Sequence, residues 1–245
     1  MKNIIFVLLI LSMSIGLSQN NNNYIDNIKK ADVSFLFKTD SINSPVGHTA
    51  TNNPPIGFIG ENYQRISICF ECINKSSTNE LIYIVKGNSR VKKNKTSFKG
   101  YIEIKESKFG EKLILLDEID SFYTGYIKGV YCFEEEGRGS HIGKFQGEFI
   151  TYFYIDHNNE IRYNDLEYGV SDGYLNNQFW GVWESYDKRI KHICNWGEYR
   201  IPKNGLDKEY DLDIGACCFS PNLKYYKYGW KEYLIEQKEK NYRYE

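Results

Sequence analysis

The chain has 245 residues, and its 31 Lys and Arg nearly balance 32 Asp and Glu, for a formal net charge of −1. Both signs are interspersed along the chain, so the basic stripe that follows a phosphate backbone is missing and nucleic acid is excluded as a partner. The 21 Tyr and 14 Phe favour strands.

The first residues bear on compartment. Lys2 precedes an unbroken apolar run, Ile4 to Leu11, and small residues follow at Gly16 and Ser18. This pattern predicts a signal peptide over 1–18, too short to span a bilayer. The expected destination is periplasmic or extracellular, with no membrane span after cleavage. Residues 19–32 are expected to form a polar leader and a short helix, with Ile25 and Ile28 on one face.

An antiparallel β domain is expected over 33–220, beginning with a strand at 33–37. Residues 40–62 carry Pro45, Pro54, Pro55 and three glycines. Long loops of this kind often act as lids or binding loops, and His48 within it joins the candidate contact residues. Further strands are predicted near 65–73, 81–87, 97–107, 112–119, 122–135, 141–156, 160–166, 178–186, 190–200 and 211–219. Turn formers separate them: "EEEGRG", "DHNNE", "SDGYLNN" and "PKNGLD". The basic run "RVKKNK" at 90–95 reads as a hairpin loop. Short strands without intervening helices predict an all-β fold, either an antiparallel barrel or a strongly curved β-sheet.

Four strands share one device. "FKGYI" at 98–102, "YTGYI" at 123–127, "FQGEF" at 145–149 and "FWGVW" at 179–183 all read aromatic-x-Gly-x-apolar. Side chains alternate along a strand, so the first, third and fifth residues share a face. The predicted inner set is Phe98, Gly100 and Ile102; Tyr123, Gly125 and Ile127; Phe145, Gly147 and Phe149; Phe179, Gly181 and Trp183. A glycine on the inner face lets the strand bend sharply under a bulky neighbour.

"FQGEF" resembles the heart of a MORN repeat. The central glycines at 100, 125, 147 and 181 are unevenly spaced, however, and the Gly-rich second half of that repeat is absent. Gly181-Val182-Trp183 resembles the G-x-W element of lipocalin-like barrels, although such families carry it on the first strand and here it comes late. By analogy, that resemblance implies an exported, aromatic-cored antiparallel barrel with a C-terminal helix. Residues 221–245 fit such a helical segment. Ser220 is a candidate cap and Pro221 suits the first turn. Leu223, Tyr226, Trp230, Tyr233, Leu234 and Gln237 form a helical stripe that Gly229 kinks or divides.

Six cysteines in an exported chain permit disulfides. Strands 190–200 and 211–219, paired as a hairpin, would place Cys194 opposite Cys218; a one-residue slip would pair Cys194 with Cys217. Cys69 and Cys72 lie in a strand that should send them to opposite faces, which disfavours a redox or zinc pair. Asp156, Asn158, Glu160, Asn164 and Glu167 match calcium-loop positions. Ile161 stands where that loop needs Gly, so a hairpin turn at Asn158-Asn159 explains the segment without an ion. The four histidines lack metal-ligand spacing.

No nucleophile, phosphate or metal motif is present, and no catalytic residue, cofactor or metal is expected. The leading expectation is a non-enzymatic binding protein that holds a small apolar or amphipathic ligand at a barrel mouth. The first alternative is a protein-interaction module, of inhibitor or immunity type, that engages a protein partner through aromatic, Asn-rich loops. The second is a carboxylate-based hydrolase built on Glu198, Asp211 and Asp213. The contact residues expected for the ligand are Tyr174, Asn176, Asn177, Trp180 and His48. Trp180 has an alternative place, under the C-terminal helix.

Overall fold

The computed structural model describes residues 23–43, 49–51, 54–114, 121–137, 139, 141–169, 171–202 and 211–241. The expected signal peptide and His48 lie outside the described residues. Two short helices come first, α1 (Ile25–Lys30) and α2 (Ser34–Phe37), then a two-stranded ribbon of β1 (Ser41–Asn43) and β2 (Thr49–Thr51). The main sheet contains β3 (Ile56–Ile59), β4 (Gln64–Lys75), β5 (Ile82–Val91), β6 (Asn94–Ile114), β7 (Ser121–Glu135), β8 (Gly143–Ile155), β9 (Ile161–Tyr163), β10 (Asn176–Ser185) and β11 (Lys191–Glu198). A 3₁₀ turn (Leu223–Tyr228) and helix α3 (Trp230–Asn241) end the described chain.

All pairings in the main sheet are antiparallel, in the order β10-β11-β3-β4-β5-β6-β7-β8-β9. One more pairing, β8 with β10, closes eight of these strands into a ring, and β9 continues beside the far half of β8. The chain is therefore predominantly antiparallel β, as expected. Closure satisfies the backbone groups that an open sheet edge would leave unpaired.

The seam of the ring explains the glycine device. Gly147 of β8 and Gly181 of β10 face each other directly. A Cβ on Gly147 would lie 2.1 Å from the Trp180 carbonyl oxygen, and one on Gly181 would lie 2.2 Å from that of Gln146. Only bare backbone permits this approach. Most of the predicted inner set is buried in the ring: Phe98, Ile102, Ile127, Phe145, Phe149, Phe179 and Trp183. Tyr123 is the exception and is 50 % exposed. It sits near the end of β7, where the long strands run on toward a small satellite core of Phe122, Tyr154 and Leu166.

Four local expectations are corrected. Residues 34–37 are helical rather than a strand, with Leu36 and Phe37 buried against the ring; the Val33 N–H donates to Tyr83 Oη at 3.1 Å and Asp32 Oδ1 accepts from the Ser34 N–H. Predicted strand 97–107 and the described part of predicted strand 112–119, residues 112–114, belong to one strand, β6, which bends at two register shifts instead of breaking; Gly110 takes φ 124° at the second. Residues 211–219 form no strand beside β11, because β10 and β3 already occupy both its edges. Cys69 and Cys72 share the outer face, because a bulge between Phe70 and Cys72 resets the alternation; they pair with Asn88 and Lys86.

The C-terminal segment lies outside the ring. Gly229, at φ 94°, divides it in two as expected, while Asn222 and not Ser220 caps the first part, accepting from the Lys224 N–H. Trp230 and Tyr233 pack with Ile56, Phe58, Leu212 and Phe219 against the outer face of β3. Trp230 Nε1–H donates to the Tyr63 carbonyl at 2.7 Å, and Arg65 forms a two-bond ion pair with Glu236. Leu223, assigned to the stripe, is instead exposed.

Candidate functional site

The middle of the ring is packed solid. Phe179 stacks on Trp196 at 5.2 Å between centroids, Tyr131 meets Trp196 edge-on at 5.1 Å, and Phe98 stacks on Phe133 at 5.0 Å. Within the ring, space for a ligand is therefore left to its two ends.

One end is stoppered. Helix α2 inserts Leu36 and Phe37, and Phe37 meets Tyr83 and Phe149 edge-on at 5.6 and 5.5 Å. Burial pushes the Tyr83 hydroxyl up to about 12, so it stays neutral and accepts from the Val33 N–H. Asn177, at φ 46°, ties the stopper to the ring: its Nδ2–H₂ donates to the Leu36 carbonyl at 2.8 Å and to Glu198 Oε2 at 3.1 Å, while its Oδ1 accepts from Thr151 Oγ1–H at 2.7 Å. Asn176 bonds both backbone groups of Tyr152. These two residues, expected at a rim, are buried and spend their amides on the protein itself.

The opposite end is open. Where β3–β4, β5–β6, β7–β8 and β10–β11 turn, a cavity of about 470 Å³ sinks into the ring. Its walls include Ile59, Val91, Phe145, Trp183 and Ile190, with His141, His192, Glu61 and Lys92 around the rim. His192 stacks on Trp183 at 6.1 Å. Glu135, the last residue of β7, lines the cavity while only 7 % exposed. Its Oε1 accepts from Ser89 Oγ–H at 2.6 Å; its Oε2 accepts from the Gly143 N–H at 3.1 Å and from Trp183 Nε1–H at 2.9 Å. All three donors are neutral, and among the described residues no cation pairs with Glu135.

Tyr174 lies near the stoppered end. It lines a groove of about 270 Å³ with Tyr168, Tyr199, Arg200, Cys217 and Cys218. It also packs against Tyr168 and Tyr199 at 5.6 and 4.8 Å and donates to the Asn164 carbonyl at 2.8 Å. Burial raises its hydroxyl above the usual range. Tyr174→Ala is therefore expected to lower the melting temperature by several degrees, and Tyr174→Phe to cost only about 1 kcal/mol, the worth of one hydrogen bond. Thermal denaturation of both variants checks this; unchanged melting in Tyr174→Ala would leave Tyr174 a purely surface role. Trp180 faces outward on β10, half-buried, and is not part of the cluster under the C-terminal helix.

The expected disulfide is not formed. Cys194 is buried inside the ring, whereas Cys218 is exposed in an irregular loop, its Sγ 3.3 Å from that of Cys217. The three acids of the hydrolase reading are each engaged by a different partner. Glu198 is buried and accepts from the Tyr163 hydroxyl, Asp213 pairs with Arg200 at 2.6 Å, and Asp211 pairs with Lys224. At the turn after β8, Asp156 Oδ1 accepts from the Asn158 and Glu160 N–H groups and Asn159 takes φ 60°, which is the hairpin expected in place of a calcium loop.

The sequence reading missed Glu135, His141 and His192 as a group. The only local signal was an acid run, "EEEG", that looks like any polar turn. No family model, no curated protein and no solved structure matches this chain. Among the described residues, no helix is long and apolar enough to cross a membrane.

Proposed function

We propose that this chain is an exported, non-enzymatic binding protein, and that the eight-stranded ring works as a small barrel taking an apolar or amphipathic ligand at its open mouth. The observation that carries this reading is the cavity of about 470 Å³ at that mouth, walled by Phe145, Trp183, Ile59, Val91 and Ile190. Its size falls within the range of small-molecule sites, and its apolar wall with a few polar groups is their usual composition. The stoppered end and the packed middle give the mouth a rigid base, so binding requires little reordering.

The test is a neutral, environment-sensitive dye such as Nile red, titrated with the protein and followed by its emission shift. Thr96 lines the cavity on β6. Thr96→Trp fills the space and is expected to weaken dye binding by at least about tenfold while the melting temperature holds within a few degrees. Dye binding unaltered by Thr96→Trp would overturn the proposal.

A second reading, a protein-interaction module, is favoured by Ile84 and Tyr101. They pair across β5 and β6 on the outer face, and both are exposed. An apolar pair in that position has no core to fill.

A further inference from the structure

We infer that the ligand of the open mouth carries an amine: an amphipathic molecule with a protonated amino head and a short apolar body. This rests on the proposal above that the mouth is the binding site, and it names the chemistry of what binds there. A carboxylate that is 7 % exposed, as that of Glu135 is, is costly unless a counter-charge or a full set of donors offsets its lost hydration. Glu135 has part of such a set. Its Oε2 takes two bonds and its Oε1 takes one, from Gly143, Trp183 and Ser89. A carboxylate offers about four acceptor positions, so one remains. No protein cation fills it among the described residues, and the residue borders the cavity.

Those three donors come from β5, from β10 and from the first residue of β8. They fix the carboxylate in place before any ligand arrives, which lowers the cost of binding. The surroundings suit a cation on an apolar stem. Trp183, whose indole N–H holds the carboxylate, also borders the cavity, and aromatic rings attract ammonium groups. Of the groups at the rim, Glu61 and Lys92 oppose each other in sign, and among the described residues none of Lys92, His141 and His192 ion-pairs with Glu135. An anionic head would meet that charge in a poorly solvated place and be repelled.

Octylamine, octanol and octanoate share a body and differ only in head group. Each is titrated against the dye-loaded protein below its aggregation concentration. Octylamine is expected to displace the dye at least about tenfold more effectively than octanol, in keeping with a hydrogen bond to a charged group, and octanoate least of all. Glu135→Gln keeps the shape and an acceptor but removes the charge, and is expected to bring octylamine down to the level of octanol. Octylamine no better than octanol, or a preference that survives Glu135→Gln, overturns the amine assignment. Failure of the mouth as a site is read separately, from dye binding that survives Thr96→Trp. If Glu135→Gln does not fold, the head-group series on the unaltered protein still decides.

Discussion

Trp196→Ala is expected to destabilise the protein by about 3–5 kcal/mol, the usual cost of truncating a buried Trp. Trp196 is fully buried on β11 and is the hub of the ring interior. It stacks on Phe179 at 5.2 Å and meets Tyr131, Phe145 and Phe133 at 5.1, 6.1 and 6.4 Å. The four aromatic rings left around the void, from β7, β8 and β10, cannot close over it together, because each is held by its strand. The indole N–H has no hydrogen-bond partner among the described residues. The loss is therefore one of packing, and Trp196→Phe, which keeps an aromatic ring, is expected to cost much less than Trp196→Ala. Chemical denaturation of both variants measures the difference. Equal destabilisation by the two would mean that the indole shape, not simply aromatic filling, holds the interior.

Asn177→Ala is expected to cost about 3 kcal/mol or more, from two sources. The substitution strands the Leu36 carbonyl, one bond to Glu198 and the Thr151 hydroxyl in the interior, and each buried group left unsatisfied costs about 1–3 kcal/mol. It also puts a Cβ-bearing residue without a compensating amide at φ 46°, where left-handed backbone costs about 1–2 kcal/mol. Asn177→Gly removes the first set of bonds but relieves the second term, so it should recover about 1 kcal/mol of the loss. Because Asn177 anchors the stopper at the far end from the mouth, dye affinity should be unchanged in either variant at temperatures where it remains folded. Weaker dye binding by folded Asn177→Gly would show that the two ends are coupled. Full stability in Asn177→Ala would mean that the stopper is not tied to the ring through this residue.

Much of this architecture is legible in the chain itself. The aromatic-x-Gly-x-apolar device marks which side chains enter the interior, because the two-residue period of a strand needs only local sequence. Gly229 as a divider and the turn at Asn158-Asn159 are equally local, set by backbone preferences of single residues. The expectations that failed were of another kind. Whether 33–37 becomes a strand or a helix depends on partners far along the chain, Tyr83 and Phe149, and 211–219 finds both edges of β11 taken by β10 and β3. Apolar content alone does not separate a strand from a stopper helix four residues long. The rim assigned to Asn176 and Asn177 reversed for a related reason. Both are turn formers by type, but the partners that hold them, Leu36, Thr151 with Tyr152, and Glu198, come from three separate parts of the chain.

By itself, then, the sequence determined the strand-rich class, the inward faces and the glycines where strands come close, since each follows from short-range alternation and local backbone chemistry. Only the tertiary structure decided which end of the ring is stoppered, that the middle is filled, and that Glu135 borders a cavity with no cation paired to it among the described residues. Those three features arise from contacts among β5, β7, β8, β10 and the N-terminal helices, segments far apart in the chain that ring closure alone brings within hydrogen-bonding reach.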